Sequence, residues 1–161
     1  MPVLQTGIAK SAADPAYEID NSLRSPYSTT SKLTRTPTVA GNRRTFTVSM
    51  WFKGNLTQSE GNIIRTKVDS SNYFIVGFST TIGDLWVGTN FGESKSITLS
   101  RRLRDPAAWY HLVVAIDTTL ATEADRTKIY LNGVRQTEFD SASYPTQNNQ
   151  GPWNNTAEQH V

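Results

Sequence analysis

Few residues in this chain could do covalent chemistry. Nucleophilic catalysis needs a hydroxyl or thiol beside a positioned base, and the 161 residues hold two histidines, His111 and His160, and no cysteine. His111 lies inside an apolar run with Trp109 and Val113 on its face, the setting of a sheet residue, and His160 stands next to the last residue. Gly77-Phe78-Ser79-Thr80-Thr81 falls short of a G-x-S-x-G elbow, and no helical pattern follows to expose such a serine. The lack of cysteine also excludes disulfides and thiolate-bound metal centres. Neither G-x-G-x-x-G nor a P-loop occurs to cradle phosphate. Paired carboxylates are approached only by Glu123-Ala124-Asp125-Arg126-Thr127-Lys128, which lacks a further glutamate and sits where a loop enters a hairpin. Retaining glycoside hydrolysis wants carboxyls about 5–5.5 Å apart, whereas residues two apart on a strand differ by about 6.6–7 Å in rise alone. The expectation is a non-enzymatic protein with no catalytic residues.

Binding chemistry is better supplied. Four tryptophans and six tyrosines offer apolar faces on which sugar rings stack, with Asn, Asp and Arg to fix hydroxyls. Trp51 and Trp86 fall on strand faces opposite the inferred core residues and are the expected ligand-stacking pair. Trp109 occupies a strand position that also admits a core placement, and Trp153 lies in a polar tail. For each of them the plain alternative is sheet packing. Arg101, Arg102 and Arg104 form the one dense basic run. It reads either as a solvated loop or as a contact for an acidic polysaccharide or partner protein.

These residues need a frame, and the composition points to β structure. Lys+Arg number 16 against 14 Asp+Glu, a net charge of +2, too weak and dispersed for a nucleic-acid footprint. No apolar run approaches the 18 or so residues of a membrane span, and residues 1–20 lack the order of a secretory signal. Hydrophobic residues make up 37% and charged residues 19%, suiting one globular domain. Residues 1–21 read as an extended amino-terminal arm for attachment, and 22–161 as the domain.

Period-2 alternation marks Thr45 to Lys53, with Phe46, Val48, Met50 and Phe52 on one face. Asn62 to Val68, Asn72 to Ser79 and Asp84 to Thr89 follow as a meander, and Ser96 to Ser100 as an edge strand. A short strand around Leu33 is expected within Tyr27 to Pro37. Asp105-Pro106 suits one helical turn over Arg104 to Ala108. Trp109 to Asp117 reads as the central strand, with Tyr110, Leu112, Val114 and Ile116 facing the core. Arg126 to Leu131 and Val134 to Phe139 flank Asn132-Gly133, a type I′ hairpin signal because both residues accept positive φ. The fold class is all-β, an antiparallel two-sheet jelly-roll sandwich.

On "WYHLVVAID", "IYLNG", "YPTQN" and "NNTAEQHV", and above all on "RTPTVAGNRRTFT" from Arg35 to Thr47, the chain resembles the concanavalin A-like, laminin-G-type domains of marine and cyanobacterial phage structural proteins. The resemblance covers roughly Ser22 to Val161. It implies a virion protein, a tail fibre or fibre-like appendage subunit, whose jelly roll serves assembly or adhesion to a host-surface polysaccharide. Its partners would be other virion proteins and copies of itself, as a trimer. A capsid decoration protein and a free lectin-like module are the alternatives. In such domains further strands follow "NNTAEQHV", so the sandwich is expected to lack its last strands at the carboxyl end. Laminin-G-like domains often hold calcium at a loop rim, and Asp69, Asn72 and Asp84 are the candidate ligands, against the plainer reading as turn residues.

Overall fold

The computed structural model describes residues 32–53, 61–79 and 83–161. The arm expected over 1–21 lies outside them, as does Tyr27 to Ser31 of the first expected strand. Eleven strands are described: β1 (Thr34–Arg35), β2 (Thr45–Phe52), β3 (Gly61–Lys67), β4 (Asn72–Phe78), β5 (Asp84–Phe91), β6 (Ser96–Arg102), β7 (Tyr110–Asp117), β8 (Thr127–Leu131), β9 (Val134–Arg135), β10 (Phe139–Ala142) and β11 (Gln159–His160). They form a seven-stranded sheet in the order β1-β11-β3-β4-β5-β6-β10 and a four-stranded sheet in the order β2-β7-β8-β9. Every pairing is antiparallel. The architecture is an all-β, two-sheet antiparallel sandwich, as the alternation implies.

Alternation builds the core as the sequence implies. Phe46, Val48 and Phe52 of β2 are buried with Tyr110, Leu112, Val114 and Ile116 of β7, and Ile129 and Leu131 of β8 join them. From the larger sheet come Ile64, Phe74, Val76, Leu85, Val87, Phe91, Ile97 and Leu99. Phe46 meets Phe74 edge-on with centroids 5.4 Å apart, and Phe52 meets Phe78 at 6.0 Å, so β2 lies over β4. Strands β3, β11 and β1 therefore extend past the rim of the smaller sheet as described.

Asn132 (φ 50°) and Gly133 (φ 79°) both sit in the left-handed region, as a type I′ turn requires. The strand after the turn is shorter than expected. β9 ends at Arg135, Gln136 N–H still reaches the Ile129 carbonyl at 2.8 Å, and Phe139 then begins β10 on the other sheet. This crossing corrects another expectation: β6 is no edge, because β10 pairs along its outer side. Arg104 to Ala108 forms a hydrogen-bonded turn, not a helical one. The Asp105 carboxylate accepts the Ala107 N–H at 2.8 Å, and the Ala108 N–H reaches the Asp105 carbonyl at 3.3 Å before β7 begins.

The polar segment after β10 is a strap across the sandwich. Asn148 N–H donates to the Thr118 carbonyl (2.7 Å), Gly151 N–H to Arg43 (3.2 Å) and Gly41 N–H to Asn154 (2.8 Å). Trp153, read from sequence as part of a polar tail, packs against Phe74 at 5.4 Å and Phe46 at 6.5 Å. The strap ends in β11, which lies between β1 and β3.

Charged side chains help hold it, among them Arg43, whose Nε donates to the Gly151 carbonyl at 2.7 Å, Arg126 and Glu93. The Arg126 guanidinium is buried and donates to the carbonyls of Leu120 (2.8 Å), Ala121 (2.7 Å) and Pro145 (2.9 Å). Glu93 accepts from Thr146 N–H (2.8 Å), the Thr146 hydroxyl and Asn149 Nδ2 (2.6 Å). Burial opposes its charge, but those hydrogen bonds win and hold the carboxyl below its ordinary range. A lowered folded-state value stabilises fully above the unfolded pKa and is lost as pH falls through the folded one. Glu93→Gln should therefore flatten the decline of stability below about pH 5, read as urea midpoints across acidic pH. Arg126→Ala, which strands three carbonyls, should cost about 3 kcal/mol in the same measurement at neutral pH.

Candidate functional site

A strand that sends one face into the core leaves the other for a ligand, so the outward faces of the two sheets are where binding residues must lie. On the larger sheet, β4 points Phe74 and Val76 inward and therefore Tyr73, Ile75 and Gly77 outward. β5 points Leu85 and Val87 inward and Trp86, Gly88 and Asn90 outward. Register brings these together: Tyr73 stands opposite Asn90, Ile75 opposite Gly88 and Gly77 opposite Trp86. Arg65 of β3 stands opposite Ile75, and His160 of β11 opposite Arg65. On the other side, Thr98 and Ser96 of β6 stand opposite Trp86 and Gly88.

Gly88 organises the centre. A Cβ at this position would come within 2.5 Å of Trp86 Cη2 and 2.9 Å of Tyr73 Cε2, so both rings lean over the glycine from either side. Their centroids are 6.3 Å apart, with planes inclined by 42°. The result is a half-buried aromatic shelf on an outward sheet face.

Two polar atoms on this side of the sheet are buried without a partner among the described residues: Asn90 Oδ1 and Arg65 Nε. Asn90 is 5% exposed. Leaving a buried polar group unpaired costs about 1–3 kcal/mol, and both residues belong to the outward rows of the sheet that carries the aromatic pair.

The other expected ligand residues are dispersed. Trp51 lies on the outward face of the smaller sheet, 57% exposed, and stacks on His111 at 4.8 Å. It stands on the opposite side of the sandwich from Trp86, so the two cannot serve one site. His111 Nε2 is 3.0 Å from the Ser49 hydroxyl. Trp109, for which a core placement was open, is 53% exposed.

The arginine run also divides. Arg102 Nε sits 3.0 Å from Asp84 Oδ1, while Arg101 lines a shallow depression of about 370 Å³ with Ser100 and Val134 to Glu138. Arg104 is exposed beyond buried Leu103.

The calcium triad is not assembled either. Asp69 and Asn72 share the turn between β3 and β4, where Asp69 accepts from Ser71 N–H (2.7 Å) and Asn72 Nδ2 (3.0 Å). The Asn72 amide, with Ser71 N–H, holds the Asp69 carboxyl below its usual range. Asp84 begins β5, whereas Asn72 pairs with Phe91 at its far end, a separation of about 23 Å by strand rise. The three do not fit one ion, and among the described residues no group of three or more acidic, histidine or cysteine side chains is placed to hold a metal. Glu123 and Asp125 fall in a 3-10 turn, with Asp125 Oδ1 3.3 Å from both Lys128 and Arg135. The hydrogen bond and charge of Lys128 keep that carboxyl low, the wrong direction for a general acid.

Tyr73, Gly88, Asn90 and Arg65 were not singled out from sequence. The alternation of Tyr73 and Ile75 against Phe74 and Val76 puts Tyr73 on the outward face, but only the cross-strand register reveals that it meets Trp86.

No curated protein matches the chain significantly. The sequence model of the Concanavalin A-like lectin/glucanases superfamily, in its laminin-G form, matches residues 27–160. With that match spanning most of the sequence and a two-sheet antiparallel sandwich beneath it, the chain belongs to the concanavalin A-like lectin/glucanase superfamily.

Proposed function

We propose that this domain is a non-enzymatic adhesion module of a virion surface protein, and that it holds a host-surface glycan on the outward face of its seven-stranded sheet. The observation that carries the glycan reading is the convergence of Trp86 and Tyr73 over Gly88. A pyranose ring presents C–H groups on one face and hydroxyls at its rim. The shelf supplies the apolar floor, and Asn90, Thr98 and Ser96 supply polar groups around it. The placement in a virion is supported by the likeness of Arg35 to Thr47 to phage structural domains. As a fibre or fibre-like appendage subunit, the protein would assemble with other virion proteins and with its own copies.

Trp86→Ala should abolish binding on a glycan array, while Trp51→Ala, on the other sheet, leaves it intact. Gly88→Ala keeps both aromatic rings but places a methyl where the indole tip lies. It should weaken binding at least tenfold with little change in thermal midpoint, since the ring can swing away. Retention of binding by Trp86→Ala, or its loss in Trp51→Ala alone, would refute this site. Mass spectrometry of purified particles tests the virion role: the chain should be present in stoichiometric amount, and its absence would contradict that role.

A further inference from the structure

Resting on the glycan reading, we propose that the sugar this face selects is acidic, a pyranose unit carrying a carboxylate or sulfate, with Arg65 as the residue that recognises the anion. The second row of the sheet runs His160, Arg65, Ile75, Gly88, Ser96. Gly88 marks the shelf, and Arg65 stands two strands away, about 9.6 Å across the sheet. Ile75, 9% exposed, separates them with an apolar surface and no competing polar group. A sugar ring on Trp86 and Tyr73 thus projects a substituent over Ile75 toward the guanidinium.

Among the described residues Arg65 forms no ion pair, and its Nε has no hydrogen-bond partner there, although an arginine in a sheet ordinarily finds a carboxylate or carbonyl. Glu158, a carboxylate at this edge, is engaged by other residues. It takes the His160 Nε2 hydrogen bond at 2.5 Å and the Lys32 ammonium at 3.4 Å. Those two, His160 first, hold its carboxyl below the ordinary range. Lys67, two residues along β3 on the face of Arg65, stands opposite Tyr73 and adds a second positive charge. At the far end of the face Asp84 is paired with Arg102. The charged side chains that β3 presents on this face, Arg65 and Lys67, are both positive, and the planar guanidinium fork suits a carboxylate or a sulfate.

Matched oligosaccharides separate this inference from the reading beneath it. Calorimetric titrations would use oligogalacturonate against its carboxyl-reduced counterpart, and a sulfated galactan oligosaccharide against its desulfated form. The acidic member of at least one pair should bind roughly tenfold to a hundredfold more tightly, the size expected for a hydrogen bond to a charged group, and the advantage should shrink with added salt. Arg65→Gln should erase the preference, Arg65→Lys should keep part of it, and Trp86→Ala should abolish binding of both members. Equal affinities within both pairs, or a preference that survives Arg65→Gln in protein with an unchanged thermal midpoint, would overturn the inference and leave the glycan reading standing. Absence of binding to both pairs and to a neutral glycan array would remove the glycan reading itself.

Discussion

The contact of Phe46 with Phe74 and Trp153 between the sheets is the interaction on which the rest depends. Phe46 comes from the four-stranded sheet, Phe74 from the seven-stranded one and Trp153 from the strap after β10. It joins three parts of the chain that share no backbone ladder, and once it forms, the facing of every strand through it is settled. Because side chains alternate, seating Phe74 in the core turns Tyr73 and Ile75 outward, and pairing β4 with β5 then sets Tyr73 beside Trp86. The face that carries the aromatic pair is the reverse side of the core, and a one-residue slip in β4 would turn Tyr73 inward and expose Phe74.

The parts of this fold written in local pattern were legible in the sequence. Phe46 to Phe52 and Tyr110 to Ile116 show period-2 alternation without interruption, and Asn132-Gly133 carries a turn that few other residue pairs can make. Trp86 was placed on the outward face by the same rule. What was hidden depends on partners distant in the chain. Trp153 sits among Asn, Gly and Pro, and nothing nearby reveals that Gly41 will hold its neighbours by a main-chain bond and Arg43 by both its main chain and its guanidinium. The position of β6 inside its sheet depends on Phe139 leaving the hairpin for the other layer, a choice made by packing rather than by propensity.

The candidate site divides along the same line. Trp51, Trp86 and the three arginines share ligand-binding chemistry, but the fold separates Trp51 from Trp86, because outward faces on two sheets point in opposite directions. Asp69 and Asn72 carry ligand-type oxygens but spend them on their own turn, the more frequent use of such residues. The residues that sequence passed over were unremarkable in type. Gly88 matters for the space it leaves, and Asn90 and Arg65 for the partners they lack among the described residues.

The central claim is that the outward face of the seven-stranded sheet, at Trp86, is where an acidic glycan is held. The most direct test is a titration followed by heteronuclear NMR, which resolves the tryptophan indole N–H groups individually. Adding oligogalacturonate or a sulfated galactan oligosaccharide should shift the Trp86 indole and the Asn90 side-chain amide while the Trp51 and Trp109 indoles stay still. Shifts at Trp51 and Trp109 with Trp86 unmoved would place binding on the other sheet and contradict the account.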